Sequence, residues 1–478
     1  MGPETEDRKP VALFMAFGTK GDIYPISAIA AAFASDQKQY RVVLVTHSAH
    51  QNLSSHLEQR HVMFLGINSP PVLSVCENYG SGSQELAFSQ QKMIATRDHR
   101  QECYSAVEGI FGHDSTMEGD FILINFFALE GWSLAELFHV RCVVAAPYVV
   151  PYSAPSSFES QFRREHPLLY KYLQEADSNQ VSWKDVAHWM WPLYTENWGL
   201  WRSDVLYLSP FPFTDPVTGL PTWHDRPPSP LLLMLTDYWP SNVHVCGFEI
   251  SELSYPGDLR TKDEVCSAHV KLQCFLINPA STPPIFIGLS SIGSMGFLRN
   301  PQTFLQVIQT VLEITNYRFI FYFIASESSH LDKRQYLEEG ICLFDSRLFC
   351  FPNMIPYKWL FPRCAAAIHH GGSGSTAAAL HAGIPQVLCP FILDQFYWAE
   401  KMYWIGVAPE PLNRSHLIPD KLDDVSIGMA AKVLSRAIND ALSPNIKARA
   451  LEIAERISLE DGVMEAVKIL KQEMNCSC

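Results

Sequence analysis

From Ala365 to Thr376 the chain reads Ala-Ala-Ala-Ile-His-His-Gly-Gly-Ser-Gly-Ser-Thr, and an alanine-rich stretch follows. An apolar strand that runs through a glycine turn into a helix makes a cradle for phosphate. The glycines let backbone approach an anion, the first amides of the helix have no acceptor of their own, and the helix dipole favours negative charge there. Ser375 and Thr376 add hydroxyl donors, and His370 can donate to a phosphate oxygen. The segment lacks the Gly-Lys-Ser/Thr of nucleotide-hydrolase loops and the Gly-x-Gly-x-x-Gly of dinucleotide sites. His369 and His370 are poor as a metal pair, because neighbours on a strand point to opposite faces.

A second group follows the next expected strand: Pro390-Phe391-Ile392-Leu393-Asp394-Gln395. A carboxylate beside an amide suits sugar hydroxyls, and this pair stands at the carboxyl edge where open α/β sheets keep their ligands. Alone it would read as a helix cap. Near the N-terminus, Val11 to Phe17 runs into Gly18-Thr19-Lys20-Gly21-Asp22, which puts Asp22 after the first strand. Asp22 is either a cleft-facing acid or the N-cap of the helix that holds Ile26 and Ile29. His47, at the end of the second strand, reads as structural.

These groups need strands to carry them. Val11 to Phe17, Arg41 to Thr46, Phe121 to Phe127 and Arg141 to Ala145 read as buried strands, with Val205 to Leu208 and His244 to Val245 as late ones. Ile26 to Ala34 and Leu134 to Phe138 read as parts of helices. A second series comprises Ile285 to Gly288, Phe319 to Phe323, Ala365 to Ile368 and Gln386 to Cys389. Strands alternating with helix-length segments predict two doubly wound parallel sheets. The expected division is residues 1–250, a connection over 251–282, a second domain over 283–447, and a last helix within 448–478. Trp183, Trp189, Trp191, Trp198 and Trp201 crowd the region after Pro147 and read as core, with some lining an apolar cleft as the alternative.

The whole chain narrows the function classes. Its 478 residues and 47% apolar composition suit a globular protein of two to three domains, and a net charge of −14 argues against nucleic acid as a partner. Twelve cysteines without a Cys-x-x-Cys pair read as reduced thiols, and no metal is expected. Met1 to Pro10 is polar where a secretory signal would be apolar, and no apolar run reaches the length of a membrane span. The expectation is a cytoplasmic protein whose membrane contact, if any, is peripheral. Cys476 and Cys478 read as ordinary cysteines rather than a prenylated ending.

At these residues the chain resembles the sterol 3-beta-glucosyltransferases, a branch of the GT-B UDP-glycosyltransferases, and most nearly those of plant type. Gly18 to Asp22 resembles that branch's Gly-Thr-Arg-Gly-Asp, and His369 to Ala377, Ala382-Gly383 and Pro390 to Trp398 resemble its C-terminal signature, with Trp359 to Pro362 resembling the segment ahead of it. The resemblance implies two Rossmann-like domains facing a central cleft, the first for an acceptor and the second for a UDP-sugar, with the final helix crossing back to the first. It implies that His370, Gly372, Gly374, Ser375 and Thr376 hold the diphosphate, Asp394 and Gln395 the sugar, and Ile355 the uracil through its backbone, with Ser290 as a further phosphate contact.

Under the resemblance Asp22 would be the general base of an inverting transfer from UDP-glucose, the donor co-substrate, with no tightly bound cofactor. A steroid, triterpenoid or other lipophilic alcohol is the expected acceptor. Several positions depart from the branch: Leu289-Ser290-Ser291 replaces Phe-Gly-Ser, and Gly131-Trp132 replaces Gly-His. A sugar-nucleotide epimerase and a non-catalytic sensor are the rival readings on the same architecture.

Overall fold

The computed structural model describes residues 9–70, 82–112, 117–146, 154–177, 180–222, 231–234, 243–246, 270–277, 282–289, 301–322, 340–351 and 355–475. The chain divides into two compact units, one comprising Met1–Leu253 with Asp461–Cys478 and the other Ser254–Glu460.

In the first unit β1 (Val11–Met15) is buried at every residue, as a strand covered on both faces must be. It leads to α1 (Lys20–Asp36), β2 (Arg41–His47), β3 (Val62–Ile67) and the long α2 (Gly82–Phe111). Then come β4 (Phe121–Ile124), α3 (Glu130–Leu137), β5 (Arg141–Ala145), α4 (Ser156–Glu165), α5 (Pro167–Gln174), α6 (Glu196–Asp204), β6 (Leu231–Met234) and β7 (Val243–Val245). The strands form one parallel sheet in the order β3-β2-β1-β4-β5-β6-β7. The order reverses between β1 and β4, where open α/β sheets leave a crevice at the carboxyl ends. Gly131 lets α3 lie directly on this sheet, since a Cβ there would come within 2.4 Å of Ile124 and 3.2 Å of Met15.

The second unit holds β8 (Ile285–Gly288), α7 (Pro301–Ile314), β9 (Phe319–Tyr322), β10 (Ile341–Leu343), β11 (Leu348–Phe351), β12 (Ala366–His369), α8 (Ser373–His381), β13 (Gln386–Leu388), α9 (Gln395–Trp404), α10 (Asp424–Ala441) and α11 (Pro444–Ile457). Its sheet runs β10-β11-β9-β8-β12-β13, parallel except for the antiparallel β10–β11 pair. The chain then rejoins the first unit through α12 (Gly462–Asn475), which packs on α1.

Two doubly wound parallel sheets are thus present. Two expected elements take another form, and four strands are additional. Val205 to Leu208 is not a strand: Val205 ends α6, and Tyr207 has a φ of 55°, which turns the chain out of extended geometry. The strands β3, β6, β10 and β11 have no counterpart in the expected set. The single helix expected from Ala448 to Met474 is two, because the chain breaks between Ile457 and Gly462.

Candidate active site

In the second unit β12 ends at His369, and Gly371 turns with a φ of 84° that glycine tolerates. A Cβ on Gly371 would meet the Gln395 carbonyl at 2.9 Å, and one on Gly372 would meet His370 Nε2 at 2.6 Å. Both glycines are therefore required for close approach. Gly372 caps α8, whose first intrahelical bond runs from Thr376 N to Gly372 O at 3.0 Å. The amides of Ser373, Gly374 and Ser375 precede that bond and form the donor end of the helix. Gly374 is exposed and Ser373 and Ser375 are half-buried, so this end is open to an anion.

His370 is buried beside β8. Burial pulls its pKa down to about 4 against the opposing effect of a hydrogen bond to the Gly288 backbone. The ring is neutral at physiological pH, and the Gly288 carbonyl accepts its one N–H. Thr376 is fully buried, and its hydroxyl has no hydrogen-bond partner among the described residues. Ile355 is buried in the core below this edge, and Ser290 lies outside the described residues.

The next loop along the sheet brings Asp394 and Gln395 to the same edge. Gln395 Oε1 accepts from Phe391 N at 2.9 Å and Ile392 N at 3.1 Å, so this amide shapes the loop as well as standing near the cradle. Asp394 Oδ2 accepts from Trp398 Nε1 at 3.1 Å. Leu393, with a φ of 54°, bends the chain just before them.

In the first unit Thr19 is the N-cap of α1 and Asp22 its third residue, so Asp22 is not the cap itself but the reciprocal half of a capping box. Asp22 Oδ2 accepts from Thr19 N and Thr19 Oγ1, each at 2.7 Å, while Oδ1 accepts nothing among the described residues. Burial raises this carboxyl to about 6, although both Thr19 bonds oppose the rise. Gly18 has a φ of 113°, and a Cβ there would sit 2.6 Å from Asp22 Oδ2.

Two groups around this loop go beyond what the sequence showed, where only His47 among their members was named. Asn125, just past β4, ties the loops of the crevice together: its Nδ2 donates to Phe17 O at 2.9 Å and Asp22 O at 3.3 Å, and its Oδ1 accepts from Phe17 N and Phe127 N. A buried Asn directly after a buried strand was the available signal. Behind Phe17 sits a histidine cluster. His50 Nε2 lies 3.3 Å from Gly18 O, His47 Nδ1 2.8 Å from Ser69 O, and His99 Nδ1 2.7 Å from Ser69 Oγ. Burial, then the neighbouring His99, lowers His47 to about 4. Buried Glu130 stands 3.8 Å from His99 and 3.7 Å from Arg100. Its members come from four distant segments, so no local motif could reveal it.

Among the described residues no group of three or more His, Cys, Asp or Glu could hold a metal ion, and no helix is long and apolar enough to cross a membrane.

Residues 349–450 match the family described as the C-terminal domain of erythromycin biosynthesis protein CIII-like proteins. Sterol 3-beta-glucosyltransferase UGT80A2 of Arabidopsis thaliana is 26% identical over 95% of this chain and 64% of its own length. UGT80B1 of the same plant, also a sterol 3-beta-glucosyltransferase, is 24% identical over 95% of this chain and 66% of its own. The chain therefore spans just under two thirds of the length of these relatives. The solved glycosyltransferase of kitacinnamycin superposes with a TM-score of 0.58 at 14% identity, covering 98% of this chain and 100% of that one. Two Rossmann-like sheets, a glycine turn into α8 and these likenesses converge: the chain has the GT-B glycosyltransferase fold and resembles the sterol 3-beta-glucosyltransferases over most of its length.

Proposed function

We propose that this chain is an inverting UDP-dependent hexosyltransferase that moves glucose to a hydroxyl of a sterol, steroid, triterpenoid or similar lipophilic alcohol. The observation that carries the reading is the paired edge chemistry: a neutral donor cradle at His370 to Ser375 on one sheet, and a carboxylate of raised pKa at Asp22 on the other. The plant relatives' names supply the sugar and the acceptor class.

The reaction follows from those groups. An aliphatic hydroxyl is too weak an acid to ionise beforehand, so its proton passes to Asp22 Oδ1 as its oxygen attacks the anomeric carbon. The bond from that carbon to the diphosphate breaks on the opposite face, and UDP leaves with the electron pair; the product is the β-glycoside. The amides of α8 stabilise charge gathering on the departing diphosphate, and the neutral His370 is assigned beside it. Thr19 holds Oδ2 and keeps Oδ1 directed. Asp394 and Gln395 are assigned to the sugar, Ile355 to the uracil, and Gly372, Gly374, Ser375 and Thr376 to the diphosphate.

The test is UDP release from UDP-glucose by purified protein, with and without sterols, steroidal aglycones, triterpenoids and flavonoids, products being weighed by mass spectrometry. Acceptor-dependent release with a hexose mass gain is expected. Rearranged sugar without an acceptor would replace the reading with an epimerase, and UDP-glucose binding without product from any acceptor would replace it with a sensor.

A further inference from the structure

His369, the residue before His370, is fully buried, and every polar atom on its ring is engaged. Gly371 N lies 3.1 Å from His369 Nδ1, and His369 Nε2 lies 2.9 Å from Gln386 Oε1. A backbone amide can only donate, so Nδ1 carries a lone pair and the neutral ring bears its hydrogen on Nε2. Gln386 must then offer its oxygen, which turns its amide nitrogen to Met402 Sδ, 3.7 Å away. One tautomer and one amide orientation satisfy the whole chain.

The strands bring these groups together. Ala367 pairs with Gln386 in the β12–β13 register, and His369 lies two residues on from Ala367, on the same face. Gln386 is itself fully buried. Burial, followed by the repulsion a protonated His370 would exert, pulls the His369 pKa down to about 3, so the ring stays neutral and Nδ1 stays an acceptor. Protonation there would set two hydrogens against each other.

We propose that His369, with Gln386 behind it, is a positioning residue for the diphosphate cradle: its Nδ1 draws the Gly371 amide inward and thereby fixes both α8 and the Asp394–Gln395 loop. The link to that loop is steric. Gly371 passes close to the Gln395 carbonyl, so the place where its amide is held sets the distance between the cradle and α9. This inference rests on the reading of the cradle as a UDP site.

Two substitutions in the full chain separate the ring nitrogens. In His369→Asn the amide oxygen stands near the position of Nδ1 and keeps an acceptor for Gly371; in His369→Gln the amide nitrogen stands near Nε2, keeps a donor for Gln386 and loses that acceptor. UDP affinity by calorimetry, melting temperature, and hydrogen exchange of the Gly371 amide by NMR are read for all three proteins. His369→Asn is expected to hold UDP and protect Gly371 as the wild type does, while His369→Gln binds UDP about tenfold more weakly and exchanges fast, as loss of one hydrogen bond predicts.

Equal losses of affinity in both variants, following their melting temperatures, would reduce His369 to a core residue and overturn the proposal. So would an unprotected Gly371 in the wild type. A wild type that binds no UDP but protects Gly371 would defeat the donor reading while leaving the pin in place, to be settled by whether His369→Gln alone loses that protection.

Discussion

A carboxylate in a protein surface loop is ordinarily ionised and a poor base; Asp22 differs because burial raises it to about 6 while Thr19 occupies one oxygen. As a base it works only when ionised. Turnover should therefore fall as pH drops through about 6, and kcat/KM measured from pH 4.5 to 8 checks this. Asp22→Asn keeps an acceptor for the Thr19 N–H and hydroxyl, yet cannot take a proton. Its turnover should fall by roughly 10² to 10⁴, the usual contribution of a general base, with UDP affinity kept. Stability gives a control on the same variant. A carboxyl raised in the folded state binds protons more tightly there than in the unfolded chain, so its ionisation costs stability as pH rises from about 4 to about 6. Asp22→Asn should therefore melt no lower than wild type at pH 7. Activity lost together with melting temperature would remove Asp22 as the base. Asp22 and His370 stood out in the sequence because a glycine turn between a strand and a helix is a local pattern. The polar groups that hold such residues in place are not local: Asn125 reaches Phe17 and Asp22 across about a hundred positions, and His369 reaches Gln386 only through the register of two strands.

At the scale of elements, the turn into α8 separates two uses of glycine. Gly371→Ala places a Cβ at a φ of 84° and 2.9 Å from a backbone carbonyl that cannot swing aside. A cost of about 1–3 kcal/mol is expected from the conformation alone. Gly374 has nothing within 4 Å of its would-be Cβ and lies inside the helix, where alanine is favoured by up to about 1 kcal/mol. Gly374→Ala should therefore melt at or above the wild-type temperature but bind UDP more weakly, because the methyl group stands where the anion approaches. Melting curves and UDP titrations of the two variants distinguish fold from site; a Gly374→Ala protein with unchanged UDP affinity would show that the anion does not approach that amide. The contrast also marks what patterns could reveal. Fully buried strands such as β1 and β4 are legible, since both faces are apolar. The edge strand β3 alternates weakly, and the misread segment Val205 to Leu208 has strand-like residue types that a helix end and a left-handed Tyr207 override.

For the molecule as a whole, the chain's return to its first unit is the feature on which integrity turns. Two ion pairs tie α12 there: Arg141 Nη2 to Glu473 Oε2 at 2.8 Å and Lys471 Nζ to Asp36 Oδ2 at 2.7 Å. Both pairs remain about a third exposed, and pairs in that setting contribute about 0.2–1 kcal/mol. Beneath them Ala466, Val467, Ile469, Leu470 and Met474 are buried, and Leu470 is wholly so. Leu470→Ala removes apolar contact and leaves a cavity, which costs about 2–5 kcal/mol. Glu473→Ala should cost far less, because Arg141 Nη1 also donates to the Glu473 backbone carbonyl at 2.7 Å, and that bond outlasts the side chain. Urea unfolding followed by tryptophan fluorescence should show a clearly lowered midpoint for Leu470→Ala and nearly the wild-type midpoint for Glu473→Ala, with salt affecting only the difference between Glu473→Ala and wild type. Equal losses in the two variants would mean that charge rather than apolar burial docks the helix. The larger cost at Leu470 would instead establish that α12 is part of the first unit's core, held there by the same apolar burial that builds β1 and α1.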